Sequence, residues 1–357
     1  MVSFLRRAIV TLTALGSLAL LAALAVARLT PFTGWWPVEA LDTFALYAFA
    51  PFLVLPVLAL LFWSRALTIL TIIVLAFFGQ QFGTQTLGAV GLLAPAAVTA
   101  QESRPRVRIL TLNLHSPNSD PTQYVPLIRE LKPDVIMLQE VTAAFERAFD
   151  RVLGNEYPYS VRAGTDTAHQ GAGTWSRLPL AEREVLRPTS VVDDDHENNT
   201  MHRVRLLAAP GQDVWLYNVH LANPAAGKEG RRMQIMGLDS SERNDELAWL
   251  IRETANLQRP YILAGDFNSA AGSYPHRHFP TVWRDAFGEA GRGFGHTFPS
   301  PSTVGGRLRT FSALLPMLRI DYVLTSPVLE PVRAWTERVP GTDHMAVVAD
   351  VALPAGQ

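Results

Sequence analysis

The chain has 357 residues, of which 48% are hydrophobic and 18% are charged, and its formal net charge at pH 7 is −1. It contains no cysteine, which excludes disulfides, thiolate metal sites and a cysteine nucleophile but leaves the cellular compartment open. The hydrophobic residues are unevenly distributed, so the first hundred residues are considered separately from the rest.

Three uncharged segments occupy the N-terminal region, at residues 8–27, 43–64 and 66–100. Each is as long as the roughly 20 apolar residues that a helix needs to cross the core of a bilayer. Glutamines at positions 80, 81 and 85 interrupt the third segment, so its apolar part ends near there. The sequence therefore predicts a membrane anchor over residues 1–103, with about three transmembrane helices that contact membrane lipid, at about 8–28, 43–64 and 66–86.

The orientation of these helices is predicted from a few basic residues. Arg6 and Arg7 precede the first segment, and Arg65 separates the second from the third. The positive-inside rule then places the N-terminus in the cytoplasm, and three crossings place the rest of the chain outside it. An alternative is that residues 1–27 are a signal peptide with Ala25-Val26-Ala27 before the cleavage site. Both alternatives predict a multi-pass cell-membrane protein whose C-terminal domain is extracytoplasmic.

Residues 104–357 have the composition of a soluble domain, long enough for one large core. Four of the 31 basic and three of the 32 acidic residues lie before Ser103, leaving 27 and 29, a net charge of −2. Proteins that bind nucleic acid without sequence preference usually carry a basic surface. The charge balance therefore counts modestly against a dedicated DNA-degrading enzyme, although a local arginine cluster is compatible with a neutral total.

Short apolar segments that end in polar residues predict a series of buried strands in this domain. Apolar residues at helical spacing predict helices between them, at 121–131, 145–153 and 245–254. The predicted strands and their polar residues are 107–114 with Asn113, 134–141 with Glu140, 214–220 with His220, 261–268 with Asp266 and Asn268, 319–324 with Asp321, and 345–351 preceded by Asp343 and His344.

The segment 261–268 is the most informative of these strands. Strand alternation places Asp266 and Asn268 on the same side and Phe267 on the other. Taken alone, an aspartate and an asparagine at a strand end are equally explained as turn-forming residues. Polar residues of this kind at the ends of several strands are difficult to explain in that way, and they favour a shared site.

In this combination and order the segments resemble the endonuclease/exonuclease/phosphatase superfamily, which has the deoxyribonuclease-I-like fold. The resemblance covers about residues 106–353 and none of the membrane part. Thr342 stands where the last motif more often has serine, a conservative change. The matching segments are Thr111-Leu112-Asn113, Leu138-Gln139-Glu140, Asn218-Val219-His220-Leu221, Gly265-Asp266-Phe267-Asn268, Ile320-Asp321-Tyr322 and Thr342-Asp343-His344.

The resemblance implies an α/β (α+β) four-layer sandwich, in which two mixed β-sheets are flanked by helices and the site lies at one end. Residues 104–357 would form this catalytic domain, preceded by a bundle of about three transmembrane helices. The alternation of strands and helices agrees with this fold, but by itself it does not distinguish it from a doubly wound sheet.

The predicted chemistry is metal-dependent hydrolysis of a phosphate ester. This reaction requires neutralisation of charge on the phosphoryl oxygens, an in-line water and a proton for the leaving oxygen. Glu140 and Asn113 offer the hard oxygen ligands that Mg²⁺ prefers, with Mn²⁺ as an alternative metal. Asp343 would complete this metal site or support it. Asp266 is the candidate for orienting and deprotonating the attacking water.

The remaining candidates would bind the phosphate. Asn268 would donate to a non-bridging oxygen or hold the water, and His220 and His344 would donate to the phosphate, most effectively when positively charged. Asp321 is placed by analogy with the family to hold the His344 ring and favour its imidazolium form.

The substrate is not determined by these motifs, because nucleases, sphingomyelinase-like phospholipases and inositol-phosphate phosphatases share the fold and the chemistry. We expect a membrane-anchored Mg²⁺-dependent phosphodiester hydrolase, with an endonuclease among the candidates and nucleic acid or a phospholipid head group as substrate. Arg277, Arg307 and Arg309 are candidate substrate contacts, although loop arginines are more often solvated. A catalytically silent binding module is the alternative of another class, disfavoured because no site residue is missing. The sequence identifies no protein partner.

Overall fold

The computed structural model describes residues 2–29, 35–90, 104–115, 120–163, 171–188, 200–224, 238–300, 303–304, 307–308 and 317–354. The chain divides into two compact units. The predicted boundary between residues 103 and 104 falls at the edge of the stretch 91–103, which is outside the described residues. Unit 1 consists of Met1–Leu93, Pro224–Ser241 and Ala270–Arg277, and unit 2 of Ala94–Asn223, Glu242–Ser269 and His278–Gln357.

The N-terminal part of unit 1 is helical. Within the described residues, Ser3–Leu29 and Arg65–Gly83 are long and apolar enough to cross a membrane, with mean hydropathies of 2.3 and 1.8, and a bent helix pair raises the count to three if it forms one span. The helices are α1 (Val2–Leu29), α2 (Trp36–Thr43), α3 (Ala45–Ala48), α4 (Val54–Leu61) and α5 (Arg65–Ala89), with a 3-10 turn at Ala50–Leu53.

The second predicted span differs from the continuous helix expected over residues 43–64. Trp36–Thr43 and Ala45–Leu61 are bent by 87° relative to each other. α2 ends at Thr43, and the φ of −103° and ψ of 20° of the next residue, Phe44, are not helical. Pro51 lies in the first turn of the following 3-10 segment, where its missing N–H is tolerated. Hydropathy detects that this segment is apolar but contains no information on where its backbone bends.

A buried charged group lies within unit 1. Arg28, which is 2% exposed, donates from Nη1 to Asp42 Oδ1 at 3.1 Å and also donates to the carbonyl of Gly272. Asp42 accepts from the backbone N–H of Tyr274 at 2.5 Å and pairs with Arg277 Nη1 at 3.3 Å. Because a buried charge is costly without a partner, the Asp42 carboxylate provides the counter-charge that the buried Arg28 needs.

The remaining elements follow in chain order. They are β1 (Arg106–Asn113), α6 (Val125–Leu131), β2 (Val135–Gln139), α7 (Ala143–Leu153), β3 (Tyr159–Ala163), β4 (Ala172–Ser176), β5 (Leu180–Leu186), β6 (Met201–Ala209), β7 (Gln212–His220), α8 (Ser241–Ala255), β8 (Tyr261–Asp266), β9 (Arg284–Asp285), α9 (Ala286–Ala290), β10 (Thr303–Val304), β11 (Arg307–Leu308), β12 (Asp321–Thr325), β13 (Glu330–Arg338) and β14 (Met345–Ala352), with 3-10 turns at Pro121–Gln123 and His276–Thr281.

The strands form two six-stranded mixed sheets. Their orders are β13-β14-β1-β2-β4-β3 and β5-β6-β7-β8-β12-β9, and the short strands β10 and β11 pair with each other. β1 is parallel to β2 and β7 is parallel to β8. Apolar side chains of both sheets pack together, among them Ile109 and Met137 of the first sheet and Leu216 and Ile262 of the second. The two sheets therefore face each other across a common core.

Helices cover the outer faces of both sheets. α6 and α7 pack against the first sheet, where Ile128 and Phe149 contact a cluster that includes Leu112. α8 packs against the second sheet through Leu247 and Leu250. Successive strand residues point to opposite faces, so one set of side chains fills the inner core and the other set binds the helices. This arrangement confirms the predicted four-layer sandwich.

Strand register brings the polar strand ends together. Asn113 at the end of β1 is aligned with Gln139 at the end of β2. His220 at the end of β7 is aligned with Asp266 at the end of β8, and Asp321 at the start of the antiparallel β12 is also aligned with Asp266. The second sheet thus presents three predicted site residues side by side.

Candidate active site

Asp266 lies at the centre of the predicted site and is 1% exposed. Its Oδ1 accepts from the backbone N–H of Asn268 at 2.8 Å, and its Oδ2 accepts from Asn113 Nδ2 at 3.1 Å. The Nε2 atoms of His220 and His344 lie 3.9 and 3.8 Å from the same Oδ2, which is too far for a hydrogen bond. Four predicted residues therefore contact or face this carboxylate.

Burial controls the proton affinity of Asp266. Desolvation raises the pKa of its carboxyl group above the ordinary value, and the nearby Asp321 raises it further, while His344 and the hydrogen bonds from Asn268 and Asn113 oppose this shift. The net direction is upward. A carboxylate with a raised pKa is a stronger base than an exposed one, which suits the removal of a proton from water.

His344 is paired with Asp321 on the side of its ring that faces away from Asp266. Its Nδ1 lies 2.9 Å from Asp321 Oδ2 and 3.2 Å from Oδ1. Burial by itself would lower the pKa of His344, but the charges of Asp321, Asp266 and Asp343 and the hydrogen bond to Asp321 raise it above the ordinary value. The ring is therefore an imidazolium that donates to Asp321 from Nδ1 and presents a second N–H at Nε2.

Asp266, Asp321 and His344 have ligand atoms within 4.8 Å of one another and are all buried, a geometry that is compatible with a metal site. An imidazolium has no lone pair to offer a metal, however, and Asp321 already accepts from His344. The role of this group, and of Glu140, Asn113 and Asp343 as oxygen donors to a divalent metal, therefore remains a prediction.

Backbone conformation marks two of the predicted residues. Glu140, which directly follows β2 and is 9% exposed, has a φ of 59°, and Asn268 has a φ of 47°. A non-glycine residue in this region costs on the order of 1–3 kcal/mol, and such residues cluster at functional sites, although Lys132 at the end of α6 and Glu182 in β5 also have positive φ. His115 has a similar φ of 48°, so three strained residues follow strand ends of this domain.

His115 was not among the predicted site residues. Its Nδ1 lies 3.2 Å from Asp343 Oδ1, and its backbone N–H donates to Asn113 Oδ1 at 2.9 Å. Thr342 links the end of β1 to the segment before β14. Its hydroxyl donates to the Asn113 carbonyl at 2.7 Å and accepts from the His344 backbone N–H at 3.1 Å. The only sequence signal for His115 is its position two residues after Asn113.

The amide side chains of Asn113 and Asn268 already hold parts of the site. Asn113 bridges the His115 backbone and Asp266, and Asn268 Nδ2 donates to the Leu221 carbonyl at 2.9 Å. Their predicted contacts with metal and phosphate remain predictions. In this geometry both amides fix the orientation of neighbouring strand ends.

A contact that the sequence does not predict joins two residues of the motif segments in the core between the sheets. Gln139 Nε2 donates to Asn218 Oδ1 at 2.8 Å, and Asn218 Nδ2 donates to the Leu138 carbonyl at 3.1 Å. Both side chains are 0% exposed. Because Gln139 is in the first sheet and Asn218 in the second, they tie together the strands that precede Glu140 and His220.

The three arginines predicted to bind substrate have different locations. Arg277 belongs to unit 1, where its Nη1 donates to the Gly272 carbonyl at 2.8 Å and pairs with Asp42. Arg307 begins the two-residue strand β11, and Arg309 is outside the described residues. The contact of these arginines with substrate remains a prediction.

Fold and site together define a class of protein, the four-layer sandwiches with paired aspartate and histidine residues at the ends of their central strands. The chain belongs to the endonuclease/exonuclease/phosphatase family, whose family model matches residues 110–344, more than half of the chain. Members of this superfamily hydrolyse phosphate esters.

Solved structures share this fold. An endonuclease/exonuclease/phosphatase from Beutenbergia cavernae is 21% identical, with 71% of this chain and 72% of that chain covered and a TM-score of 0.51. An endonuclease/exonuclease/phosphatase from Bacteroides vulgatus is 19% identical, with 70% of this chain and 99% of that chain covered and a TM-score of 0.52. D. rerio TDP2, in a complex with a single-strand DNA product, is 15% identical, with 69% of this chain and 98% of that chain covered and a TM-score of 0.53. At these identities the likeness concerns the fold alone. No curated protein matches the sequence.

Proposed function

We propose that the chain is a membrane-anchored, Mg²⁺-dependent phosphodiesterase of the cell membrane, with its catalytic domain on the extracytoplasmic side. The main support for the proposed hydrolysis is the buried Asp266 carboxylate, which faces Nε2 of His344. Nδ1 of the same histidine is hydrogen-bonded to Asp321. This arrangement places a base next to a positively charged donor. Attack of water on phosphorus requires both groups, because one proton leaves the water and negative charge develops on the phosphoryl oxygens.

Asp266 acts as the base in this scheme. Its two oxygens are held by Asn268 N–H and Asn113 Nδ2, which fixes the direction of the remaining lone pairs. Desolvation raises the pKa of the carboxyl group, so it accepts a proton from water more readily than an exposed aspartate does. As the new P–O bond forms, the bond from phosphorus to the leaving oxygen breaks.

His344 and His220 act as donors to the phosphate. Their Nε2 atoms lie 3.8 and 3.9 Å from Asp266 Oδ2, separations that a water molecule can bridge. Asp321 holds the His344 ring and stabilises its positive charge. His344 therefore binds a phosphoryl oxygen most strongly when the negative charge on that oxygen is greatest.

Glu140, Asn113 and Asp343 would hold Mg²⁺, for which Mn²⁺ would substitute. The donor set fits this ion, because carboxylate and amide oxygens are the ligands that Mg²⁺ prefers. When bound, the cation neutralises negative charge on the phosphoryl oxygens.

Two substrate classes are tested, phospholipid and nucleic acid. Two or three apolar helices favour a substrate at the membrane, such as a phospholipid head group. The DNA product named with the D. rerio structure is the reason to include nucleic acid.

The test measures hydrolysis by the purified full chain in detergent micelles. The substrates are bis-p-nitrophenyl phosphate, a diester, and p-nitrophenyl phosphate, a monoester, each with Mg²⁺, with Mn²⁺ and with EDTA. Glu140→Ala removes a metal ligand of the proposed site. Glu130→Ala, which changes an exposed glutamate of α6, is the matched control.

Diester hydrolysis that is lost with EDTA and in Glu140→Ala, but not in Glu130→Ala, supports the proposal and justifies a screen of DNA, RNA and phospholipid vesicles. Hydrolysis of the monoester alone contradicts the diesterase assignment and indicates a phosphatase. If a folded protein hydrolyses neither these compounds nor any substrate of the screen, the enzyme proposal is wrong and the binding module is favoured.

A further inference from the structure

α8 carries two buried charged residues that the mechanism above does not use. Arg243 is 6% exposed and Glu246 is 1% exposed. They are three residues apart and so lie on the same face of the helix. Buried charges are costly unless they are well bonded, so the contacts of these two side chains indicate what they do.

Glu246 holds the chain just beyond β7. Its Oε2 accepts from the backbone N–H of Ala222 at 2.6 Å, and Ala222 lies two residues after His220. The intervening Leu221 donates its N–H to the Asp266 carbonyl at 2.9 Å. The Glu246 carboxylate thus fixes the end of the strand that positions His220.

Arg243 holds the chain just beyond β8. Its Nη1 donates to the Asn268 carbonyl at 2.8 Å, and its Nη2 donates to Asn244 Oδ1 at 3.0 Å. Asn268 has a φ of 47°, and a strained residue keeps its conformation only when its surroundings fix it. A charge-assisted hydrogen bond to its carbonyl is such a constraint. The Asn268 N–H that orients Asp266 depends on the same conformation.

We propose that Arg243 and Glu246 are positioning residues for catalysis, and that α8 holds the ends of β7 and β8 in register so that His220 and Asp266 face the same substrate. The inference rests on the proposed function, because it concerns the rate of the proposed reaction. Both side chains bond to backbone atoms of the site loops. Their loss is therefore expected to lower kcat with little change in KM.

The role of Glu246 requires an acceptor oxygen and not a negative charge. Glu246→Gln keeps an amide oxygen of the same reach, which can still accept from Ala222 N–H. Glu246→Ala removes the acceptor and leaves that N–H without its partner. The two substitutions therefore separate the hydrogen bond from the charge. A purely structural contribution would lower the melting temperature without changing kcat at a temperature where the protein remains folded.

The experiment measures kcat, KM and melting temperature of the full chain in micelles with bis-p-nitrophenyl phosphate and Mg²⁺. Arg243→Met and Glu246→Ala are expected to lower kcat by about 10- to 100-fold, the effect of a misplacement near 1 Å. Glu246→Gln is expected to keep the wild-type kcat. The matched controls are Arg252→Met and Asp245→Ala, which change exposed residues of the same helix and are expected to leave kcat unchanged.

A kcat in folded Arg243→Met and Glu246→Ala that equals that of the controls overturns the proposal, and so does a Glu246→Gln protein as slow as Glu246→Ala. If Arg243→Met does not fold, Arg243→Lys replaces it. An ammonium group can bond the Asn268 carbonyl or the Asn244 side chain but does not reproduce the fork of the guanidinium. A severalfold lower kcat then supports the proposal, and an unchanged kcat contradicts it.

Amide hydrogen exchange followed by mass spectrometry provides a readout that does not depend on activity. The peptide containing Ala222 is expected to exchange faster in Glu246→Ala than in the wild type, and at the wild-type rate in Glu246→Gln and Asp245→Ala. If the wild type hydrolyses no diester, the proposed function fails, while the exchange result still tests whether Glu246 holds the Ala222 backbone. If the wild type is active and exchange is equal in all variants, the positioning role fails alone.

Discussion

At the scale of single residues, two buried histidines of unit 2 have pKa shifts of opposite direction. His202 is 1% exposed, its Nε2 lies 2.9 Å from Thr174 Oγ1, and desolvation lowers its pKa to about 4. His344 is also buried, but Asp321 at 2.9 Å raises its pKa. The neighbouring carboxylate, and not burial itself, decides which histidine is charged. His202 is therefore a neutral structural residue, and His344 is a donor suited to bind phosphate.

The lowered pKa of His202 predicts a stability that depends on pH. The folded pKa of about 4 lies below the unfolded value near 6.5, so between these values the unfolded state binds more protons and stability falls as the pH is lowered. Going from pH 7 to pH 5 is expected to cost about 2 kcal/mol through this group. His202→Gln removes this component, and its unfolding free energy should therefore fall less than that of the wild type between the two pH values.

The comparison must be made between variants, because Glu246 acts in the opposite direction. Burial raises the pKa of Glu246 to about 7, so its contribution to stability increases as the pH falls. This contribution is common to wild type and His202→Gln and cancels in their difference. His278→Gln, at an exposed position, is the control. Equal pH dependence of all three proteins in tryptophan-monitored unfolding would contradict the assignment of His202 as a buried neutral group.

Asp321→Asn tests the pairing that makes His344 a donor. The substitution keeps the shape of the side chain but removes the charge that raises the pKa of His344, so desolvation should then lower that pKa. Without a positively charged donor, kcat for the diester is expected to fall by about 10²- to 10⁴-fold. Kinetics and an NMR titration of the His344 ring measure the two effects. Asp213→Asn, at the end of β7 opposite to His220, is the control. An Asp321→Asn protein with the wild-type kcat would show that His344 does not act through Asp321.

At the scale of elements, the parallel pair β7 and β8 depends on a glycine directly before Asp266. Gly265 has a φ of 148°, and a Cβ at this position would lie 1.8 Å from the carbonyl oxygen of Val219. This oxygen belongs to β7 next to His220, so a side chain at position 265 would push the two strands apart where the predicted site residues His220 and Asp266 face each other.

Gly265→Ala is accordingly expected to lower the unfolding free energy by at least about 2 kcal/mol, through a clash added to backbone strain, and to reduce kcat. Gly211→Ala provides the matched control, since Gly211 has a φ of 72° in the β6–β7 turn and a Cβ added there would meet no atom within 4 Å. That variant should lose only the smaller cost of strain, about 1 kcal/mol. Equal melting temperatures of the two variants would show that the strands tolerate separation at Gly265.

Sequence patterns predict the strands and helices of unit 2 better than the contacts between them. The strand ends are recognisable because apolar runs ending in polar residues reflect local chain geometry. The helix predicted at 245–254 starts four residues earlier, at Ser241, so Arg243 lies outside the predicted helix and its contact with Asn268 is not foreseen. The contact between Gln139 and Asn218 is likewise not predicted, although both residues lie in the motif segments, because the two positions are 79 apart in the sequence. Periodicity carries no information about such distant pairs.

At the scale of the whole molecule, the N-terminal helices do more than supply apolar length. Asp42 in α2 holds Arg28 of α1 and both Arg277 and the backbone of Tyr274 within unit 1. Charged residues in apolar helices are expensive and occur where they are paired. One aspartate thus connects two helices to the segment Ala270–Arg277, which follows Asn268 after a single intervening residue.

Asp42→Asn is expected to weaken this connection, because it leaves the buried Arg28 without a counter-charge, at a cost of about 3–5 kcal/mol. The melting temperature of the full chain in micelles should fall, and trypsin should cleave after Arg277 faster than in the wild type. Arg277→Met is the graded comparison: the Arg277 side chain is 26% exposed and its loss leaves the Arg28–Asp42 pair intact, so its melting temperature should fall less. If Asp42→Asn melts and is cleaved like the wild type, then Arg28 is stabilised by Gln81 and backbone carbonyls alone, and Asp42 does not hold this segment.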